Sequence, residues 1–251
     1  MTVPKFDITG DRRVLCSAEA LVRWEHPEFG RIPPDTFIPL FEKNGLILKL
    51  DRYVWEQAAR QVSIWREKYG LELPVSVNVS YIDIYDIHLE EVFENLVRKY
   101  GLKPDMIHLE ITESTYAEDT EHLLQVVGSL RRKGFQVEMD DFGSGYSSLN
   151  MLPVLPFDIL KLDREFIGNM MNNPKGMRVV QLVLDLARFL EVKCIAEGVE
   201  TEEEYLTLKE MGCDIIQGFY FSRPLSPAAF EEFLEKELRG EGQSGLPQNP
   251  S

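Results

Sequence analysis

Seven short apolar runs in the chain each finish on a polar or charged residue. They are VLCSAEAL (carrying Glu19), PVSVN (Asn78), MIHLE (Glu110), QVEMDD (Asp140 and Asp141), DILK (Lys161), VKCIAE (Glu197) and DIIQ (Gln217). From Asn78 onward these end residues lie 32, 30, 21, 36 and 20 positions apart, and a helix-like stretch follows nearly every run. Strands alternating with helices at such intervals predict a parallel sheet. Closed into a barrel, that sheet gathers the C-terminal ends of its strands around one mouth, where such barrels do chemistry. Residues far apart in sequence can then meet at one site, and most of these are acids.

The length of 251 residues suits one such barrel, since a (β/α)8 domain takes about 250 residues. A hydrophobic fraction of 44% allows a full core. The formal net charge of −15 argues against a groove for a nucleic-acid polymer, whose binders are usually basic. It leaves room for a small phosphorylated ligand, because bound metal can reverse the local sign. Cys16, Cys194 and Cys213 are odd in number and lack metal-ligand spacing, so they read as core thiols of a reducing compartment. The opening MTVPKFDITG has no basic n-region or apolar h-region, and no run approaches the roughly 18 apolar residues of a membrane span. The expectation is a cytoplasmic protein with no membrane segment.

No Ser/Gly/Pro-rich linker divides residues 1–239, which are expected to form the barrel, with 240–251 (ending EGQSGLPQNPS) as a flexible tail. Pro33-Pro34 opens a helix with Asp35 as candidate cap and Gly45 as stop. A longer helix follows, on which Val54, Ala58, Val62 and Trp65 recur at helical spacing and should face the barrel. Further helices are predicted near 89–100, 120–133, 175–190, 201–211 and 227–239. VPKFDI and RVLCSAEAL flank the hairpin-like turn TGDR, so the first two strands should be antiparallel. The abrupt start at the first strand is what a domain cut from a longer protein would show, with a regulatory domain upstream.

Glu19, Glu110, Asp140, Asp141 and Glu197 would put five carboxylates in one mouth, with Lys161 offsetting one. At that density they would repel and raise one another's pKa values. Two divalent cations would cancel the charge, and oxygen ligands suit Mg2+ or Mn2+. Adjacent Asp140 and Asp141 invite a shared ligand between two ions about 3.5–4 Å apart, the spacing of two-metal phosphoryl chemistry. Singly, each residue has a plainer role: a strand-end surface acid, a turn residue at Asn78, a helix cap at Asp140-Asp141, or a Lys161–Asp163 surface ion pair worth about 0–1 kcal/mol. Their arrival in order at successive strand ends favours a site.

SAEALVRW, HPEFGRIPPDTFIPLFEKNGLI, SVNVS, LEITES, DDFGSGYSSL, LKLDREFI, AEGVE and QGFYFSRPL follow one another in that order. Over residues 3–235 the chain resembles the EAL-domain family of cyclic di-GMP phosphodiesterases. The resemblance implies an α/β fold, a modified (β/α)8 TIM-like barrel with an antiparallel first strand. It implies hydrolysis of cyclic di-GMP to linear 5′-pGpG with two Mg2+ or Mn2+ ions, Ca2+ being inhibitory. Glu19, Asn78, Glu110 and Asp140 would hold the first ion; Asp140 would bridge to a second, completed by Asp141 and Glu197. Lys161 would orient the attacking water or assist proton transfer, and Glu197 also has a base role by analogy. Arg23, Asp163, Glu200 and Gln217 match positions that line the ligand or support the site. Glu113 would anchor the DDFGSGYSSL loop, and a homodimer with an interface around residues 140–175 is implied.

Two positions depart from the family pattern: Val3-Pro4 replaces a Gln-Pro pair that helps bind substrate, and Ser17 replaces a common Gly. The glycines of DDFGSGYSSL lack the GK[ST] of a P-loop. His26, His88, His108 and His122 form no metal-binding pair; His108 shares a strand face with Glu110 but is not expected to touch metal. The alternatives are a catalytically silent cyclic di-GMP receptor of the same fold, and a carboxylate–lysine barrel of the enolising kind. The second explains neither Arg23 nor DDFGSGYSSL.

Overall fold

The computed structural model describes residues 1–118, 120–143 and 152–241. In chain order the strands are β1 (Thr2–Asp7), β2 (Val14–Ala20), β3 (Trp24–His26), β4 (Gly30–Ile32), β5 (Val75–Asn78), β6 (Ile107–Thr112), β7 (Gln136–Phe142), β8 (Ile159–Leu162), β9 (Lys193–Ala196) and β10 (Ile215–Gln217). The helices are α1 (Pro34–Asn44), α2 (Ile47–Tyr69), α3 (Tyr81–Ile84), α4 (Leu89–Tyr100), α5 (Glu113–Glu118), α6 (Thr120–Arg132), α7 (Arg164–Asn172), α8 (Pro174–Phe189), α9 (Glu202–Glu210) and α10 (Pro227–Leu238).

Eight strands close a barrel in the order β1-β10-β9-β8-β7-β6-β5-β2, while β3 and β4 pair apart as a small hairpin. Strand β1 runs antiparallel to both neighbours, β2 and β10; every other barrel pair is parallel. Chain length explains the reversal. Only residues 8–13 separate β1 from β2, enough for a turn but short of the dozen or more residues a parallel crossover needs. The other connections are all long enough for a parallel crossover; that between β7 and β8 carries a 3-10 turn at Leu152–Val154 among its described residues.

The seven polar-ended runs are all barrel strands, and VPKFDI supplies the eighth. Asp35 is not a cap. It lies in the first turn of α1, whose N-cap is Pro33 and has no side-chain capping bond, because Pro34 already sets the helical φ. The long helix α2 stops at Gly70 in the left-handed conformation. Ala58, Val62 and Trp65 are buried, whereas Val54 is half-buried against the cleft described below. Trp55 packs tilted against Phe93 with ring centroids 4.4 Å apart and Trp65 against Phe230 at 4.9 Å, holding α2 against α4 and α10. The hairpin β3–β4 and helices α3, α5 and α7 had no sequence expectation; the hairpin strands, α3 and α5 are too short to show a period. Most of the DDFGSGYSSL loop (144–149) and of the tail (242–251) lies outside the described residues.

Candidate active site

Period-two alternation along a strand sends every second side chain into the barrel. The register pairs Asn78 with Glu110 and Glu110 with Glu138, so neighbouring strands present their polar residues to one interior. Lys161 of β8 stands among the acids. Its Nζ is 2.9 Å from Glu110 Oε1, 2.9 Å from Asp140 Oδ1, 2.7 Å from Glu197 Oε1 and 4.0 Å from Glu19 Oε2, with 1% of its side chain exposed. Burial disfavours the ammonium, yet Asp140, Glu110, Glu19 and Glu197 outweigh it and hold Lys161 well above the ordinary lysine range.

Glu19, Asn78, Glu110 and Asp140 are braced. Gln217 Nε2 donates to Glu19 Oε2 from β10. Asn78 Nδ2 faces Glu110 Oε2 at 3.4 Å, and Trp55 Nε1 of α2 donates to the Asn78 carbonyl at 2.9 Å. Asp141 takes a left-handed backbone (φ 55°), and its N–H donates back to Asp140 Oδ1 at 2.9 Å. Carboxylate crowding shows in the protonation behaviour. Burial and the Glu19 charge push Glu110 well up. Burial, with Asp140 and Glu19 adding and Lys161 opposing, pushes Glu197 up to about 8. Burial and the neighbouring Asp140 and Asp163 push Asp141 to about 6.

The remaining predicted residues are placed as follows. Arg23 donates to the Val22 carbonyl at 2.7 Å and lines, with Glu19, Asn78 and Asp140, a cleft of about 730 Å3. Glu113, buried at the start of α5, accepts from the Gly143 N–H at 2.7 Å. Gly143 has φ 102°, and a Cβ there would sit 1.8 Å from the Phe166 ring, so only glycine fits. Asp163 caps α7 through the Glu165 N–H at 2.7 Å, rather than pairing with Lys161. Glu200 is the outlier: it is exposed and engaged by Arg164 at 2.7 Å.

Sequence reading took only the last polar residue of each strand and missed the layer beneath. Lys5, Ser76 and Glu138 have no exposure. Lys5 Nζ lies 2.7 Å from Ser76 Oγ, 2.8 Å from Glu110 Oε1 and 2.7 Å from Glu138 Oε2, while His108 Nδ1 lies 2.8 Å from Glu138 Oε1. The signal was there: Ser76, His108 and Glu138 each precede a recognised site residue by two positions, and so share its face. His108 does face the Glu110 side, as expected, and its ring borders a cavity at the opposite, N-terminal end of the barrel.

Among the described residues the barrel interior thus holds five carboxylates (Glu19, Glu110, Glu138, Asp140, Glu197) against Lys5 and Lys161, with Asp141 exposed at the rim beside Asp140. Two buried oxygens at the mouth, Glu197 Oε1 and Gln217 Oε1, lack a hydrogen bond; Glu197 Oε1 is near Lys161 but not aligned with it. The all-oxygen donors, the excess negative charge and these unbonded oxygens fit hard divalent cations. Among the described residues no three Asp, Glu, His or Cys side chains are grouped so as to hold an ion; the Lys161 ammonium stands between the acids.

A closed eight-stranded barrel with one reversed strand and an acid-lined C-terminal mouth defines the class. The sequence profile of the EAL domain matches residues 4–224, and the chain belongs to that family. It is 38% identical to cyclic di-GMP phosphodiesterase PdeR of Escherichia coli strain K12 over 236 residues, 94% of this chain and 35% of that protein. It is 37% identical to the bifunctional diguanylate cyclase/cyclic di-GMP phosphodiesterase MucR of Pseudomonas aeruginosa over 211 residues, 84% of this chain and 31% of that one. The solved PaMucR phosphodiesterase in its c-di-GMP complex superposes with a TM-score of 0.83 at 36% identity, covering 89% of this chain and 90% of that one. The chain spans about a third of the length of the curated relatives it matches. No described helix is long and apolar enough to cross a membrane.

Proposed function

We propose that the chain is a cytoplasmic phosphodiesterase domain that hydrolyses cyclic di-GMP to linear 5′-pGpG, dependent on two Mg2+ or Mn2+ ions. The observation that supports this is the convergence of oxygen-bearing side chains, Glu19, Asn78, Glu110, Asp140 and Glu197, at one barrel mouth with more negative charge than Lys161 balances. Glu19, Asn78, Glu110 and Asp140 would hold the first ion, and Asp140, Asp141 and Glu197 the second. Bound there, the ions would make an attacking water more acidic and draw charge off the phosphate oxygens.

The protein groups do the rest. Lys161 Nζ, already within reach of three of the acids, would orient the attacking water or hold a proton in transit. Arg23 offers a planar fork of donors to a phosphate or guanine edge. Glu113 fixes the Gly143 N–H, and with it the start of the DDFGSGYSSL loop. The cleft beside the acids has the volume of a small-molecule site. The silent-receptor reading would leave the acid set without a purpose, and the enolising reading has no support from the family. A homodimer, and control by domains elsewhere in a longer protein, complete the proposal.

The test is incubation with cyclic di-GMP and Mg2+, chromatographic identification of the product, and parallel reactions in EDTA and in Ca2+. The expected result is pGpG in Mg2+ alone, with Ca2+ competing and retaining intact substrate. Tight binding without product in either Mg2+ or Mn2+ would make the chain a receptor. Absence of binding would refute both.

A further inference from the structure

Beneath the mouth lies a polar layer that contributes no ligand to the proposed metal site. The register sets Lys5 of β1 beside Ser17 of β2 and Gln217 of β10. Its side chain nevertheless ends on β5, β6 and β7, so the aliphatic stem crosses the barrel interior. An ammonium has three N–H donors, and Lys5 has three oxygen partners within 2.8 Å: Ser76 Oγ, Glu110 Oε1 and Glu138 Oε2. Ser76 Oγ donates onward to Glu138 Oε1 at 2.8 Å, closing a ring of Lys5, Ser76 and Glu138. Burial works against both charges, yet Glu110 and Glu138 hold Lys5 above its ordinary range, and Lys5 and His108 hold Glu138 well below its own.

We propose that Lys5, seated by Ser76 and neutralised by Glu138, is a positioning residue for Glu110, tying down Oε1 and leaving Oε2 to the cation at the mouth. This rests on the reading of Glu110 as a metal ligand. Two features separate the arrangement from a plain buried ion pair. Lys5 and Lys161 converge on the same oxygen of Glu110, at 2.8 and 2.9 Å, while Oε2 faces Asn78, another proposed ligand. And a lone cation under a metal ligand would repel the metal, whereas Glu138 cancels it, so orientation comes with little electrostatic penalty. Partners of this kind orient metal ligands, and their loss typically weakens metal binding about 10–100-fold.

The experiment measures Mn2+ binding without nucleotide, by the electron paramagnetic resonance signal of free Mn2+, on the whole chain. Lys5→Met alone would strand Glu138, so the main variant is Lys5→Met with Glu138→Met, which removes both charges at similar volume. Ser76→Ala is a milder second variant, and Glu110→Gln is the control. The proposal expects the Mn2+ Kd to rise about 10-fold or more in the double variant and about 2- to 5-fold in Ser76→Ala. Turnover lost by the double variant should return as Mn2+ is raised. A folded double variant that binds Mn2+ within twofold of the native protein, while Glu110→Gln does not, overturns the proposal and leaves the ligand reading intact. If the double variant fails to fold, an unchanged Kd in Ser76→Ala overturns it. A Glu110→Gln protein that binds Mn2+ like the native one removes the ligand reading, and this inference with it.

Discussion

Replacing Lys161 by methionine shortens the side chain by one atom and deletes its charge. In the metal-free protein the loss is structural first. The ammonium is 1% exposed and lies within 2.9 Å of Glu110, Asp140 and Glu197. Removing one partner of such a buried cluster costs about 3–5 kcal/mol. For a chain of this size each kcal/mol moves Tm by about 2–4 °C, so a fall on the order of 10 °C is expected. Mn2+ should restore most of it by replacing the missing positive charge. Chemistry should not recover in the same way. A preorganised cation facing charge that grows in the transition state is worth about 3–4 kcal/mol, or roughly two to three orders of magnitude in rate. Thermal melting with and without Mn2+, cyclic di-GMP binding in Ca2+ and single-turnover hydrolysis at saturating Mg2+ measure the three effects on one variant. A folded Lys161→Met protein that turns over within about threefold of native, against the roughly hundredfold or greater loss expected, would refute the catalytic role. A binding defect equal to the whole loss of activity would reduce Lys161 to a substrate contact.

Asp140→Asn should nearly abolish hydrolysis while the domain melts normally, because the oxygen assigned to both ions loses its charge; substantial turnover at saturating Mg2+ would contradict the shared-ligand role. Glu113→Ala removes the acceptor of the Gly143 N–H, so hydrogen exchange at Gly143 should quicken and activity fall; unchanged protection there would mean the loop is anchored elsewhere. The metal-free protein should lose stability as pH rises. Glu197 keeps its proton in the folded state up to about 8 against 4.5 ordinarily, so its contribution is complete below pH 4.5 and is lost as pH climbs through about 8. Asp141, raised to about 6, acts in the same direction at lower pH. Melting curves between pH 5 and 8 in EDTA should fall, and Glu197→Gln should flatten them; a Tm that rises across that window would reverse the sign of the argument.

The strands and their polar ends were legible because they are local properties. An apolar run of four to seven residues closed by Asn78, Glu110, Lys161 or Gln217 is readable without knowing its neighbours. So is the reversed β1, since a six-residue link leaves no alternative to an antiparallel return. The family motifs added the roles of these residues; the structure gathers Glu19, Glu110, Asp140 and Glu197 around Lys161, while Glu200, assigned to the substrate side, is exposed on Arg164. The cap assigned to Asp35 failed because Pro34 starts α1 one residue earlier. Helices α3 and α5 escaped because four and six residues are too few to display an amphipathic period.

The sequence by itself determined which residues end the strands, the repeat that closes them into a barrel, and the excess of acids at the mouth. Tertiary structure alone decided which charges meet. Lys5 sits in VPKFD, where the nearest acid, Asp7, accepts from Thr9 instead. It finds Ser76, Glu110 and Glu138, which are 71, 105 and 133 residues away, only because the closed barrel turns all four side chains into one interior. Charge pairing depends on distances of a few ångströms, and in a closed barrel those distances are fixed by register between strands rather than by spacing along the chain.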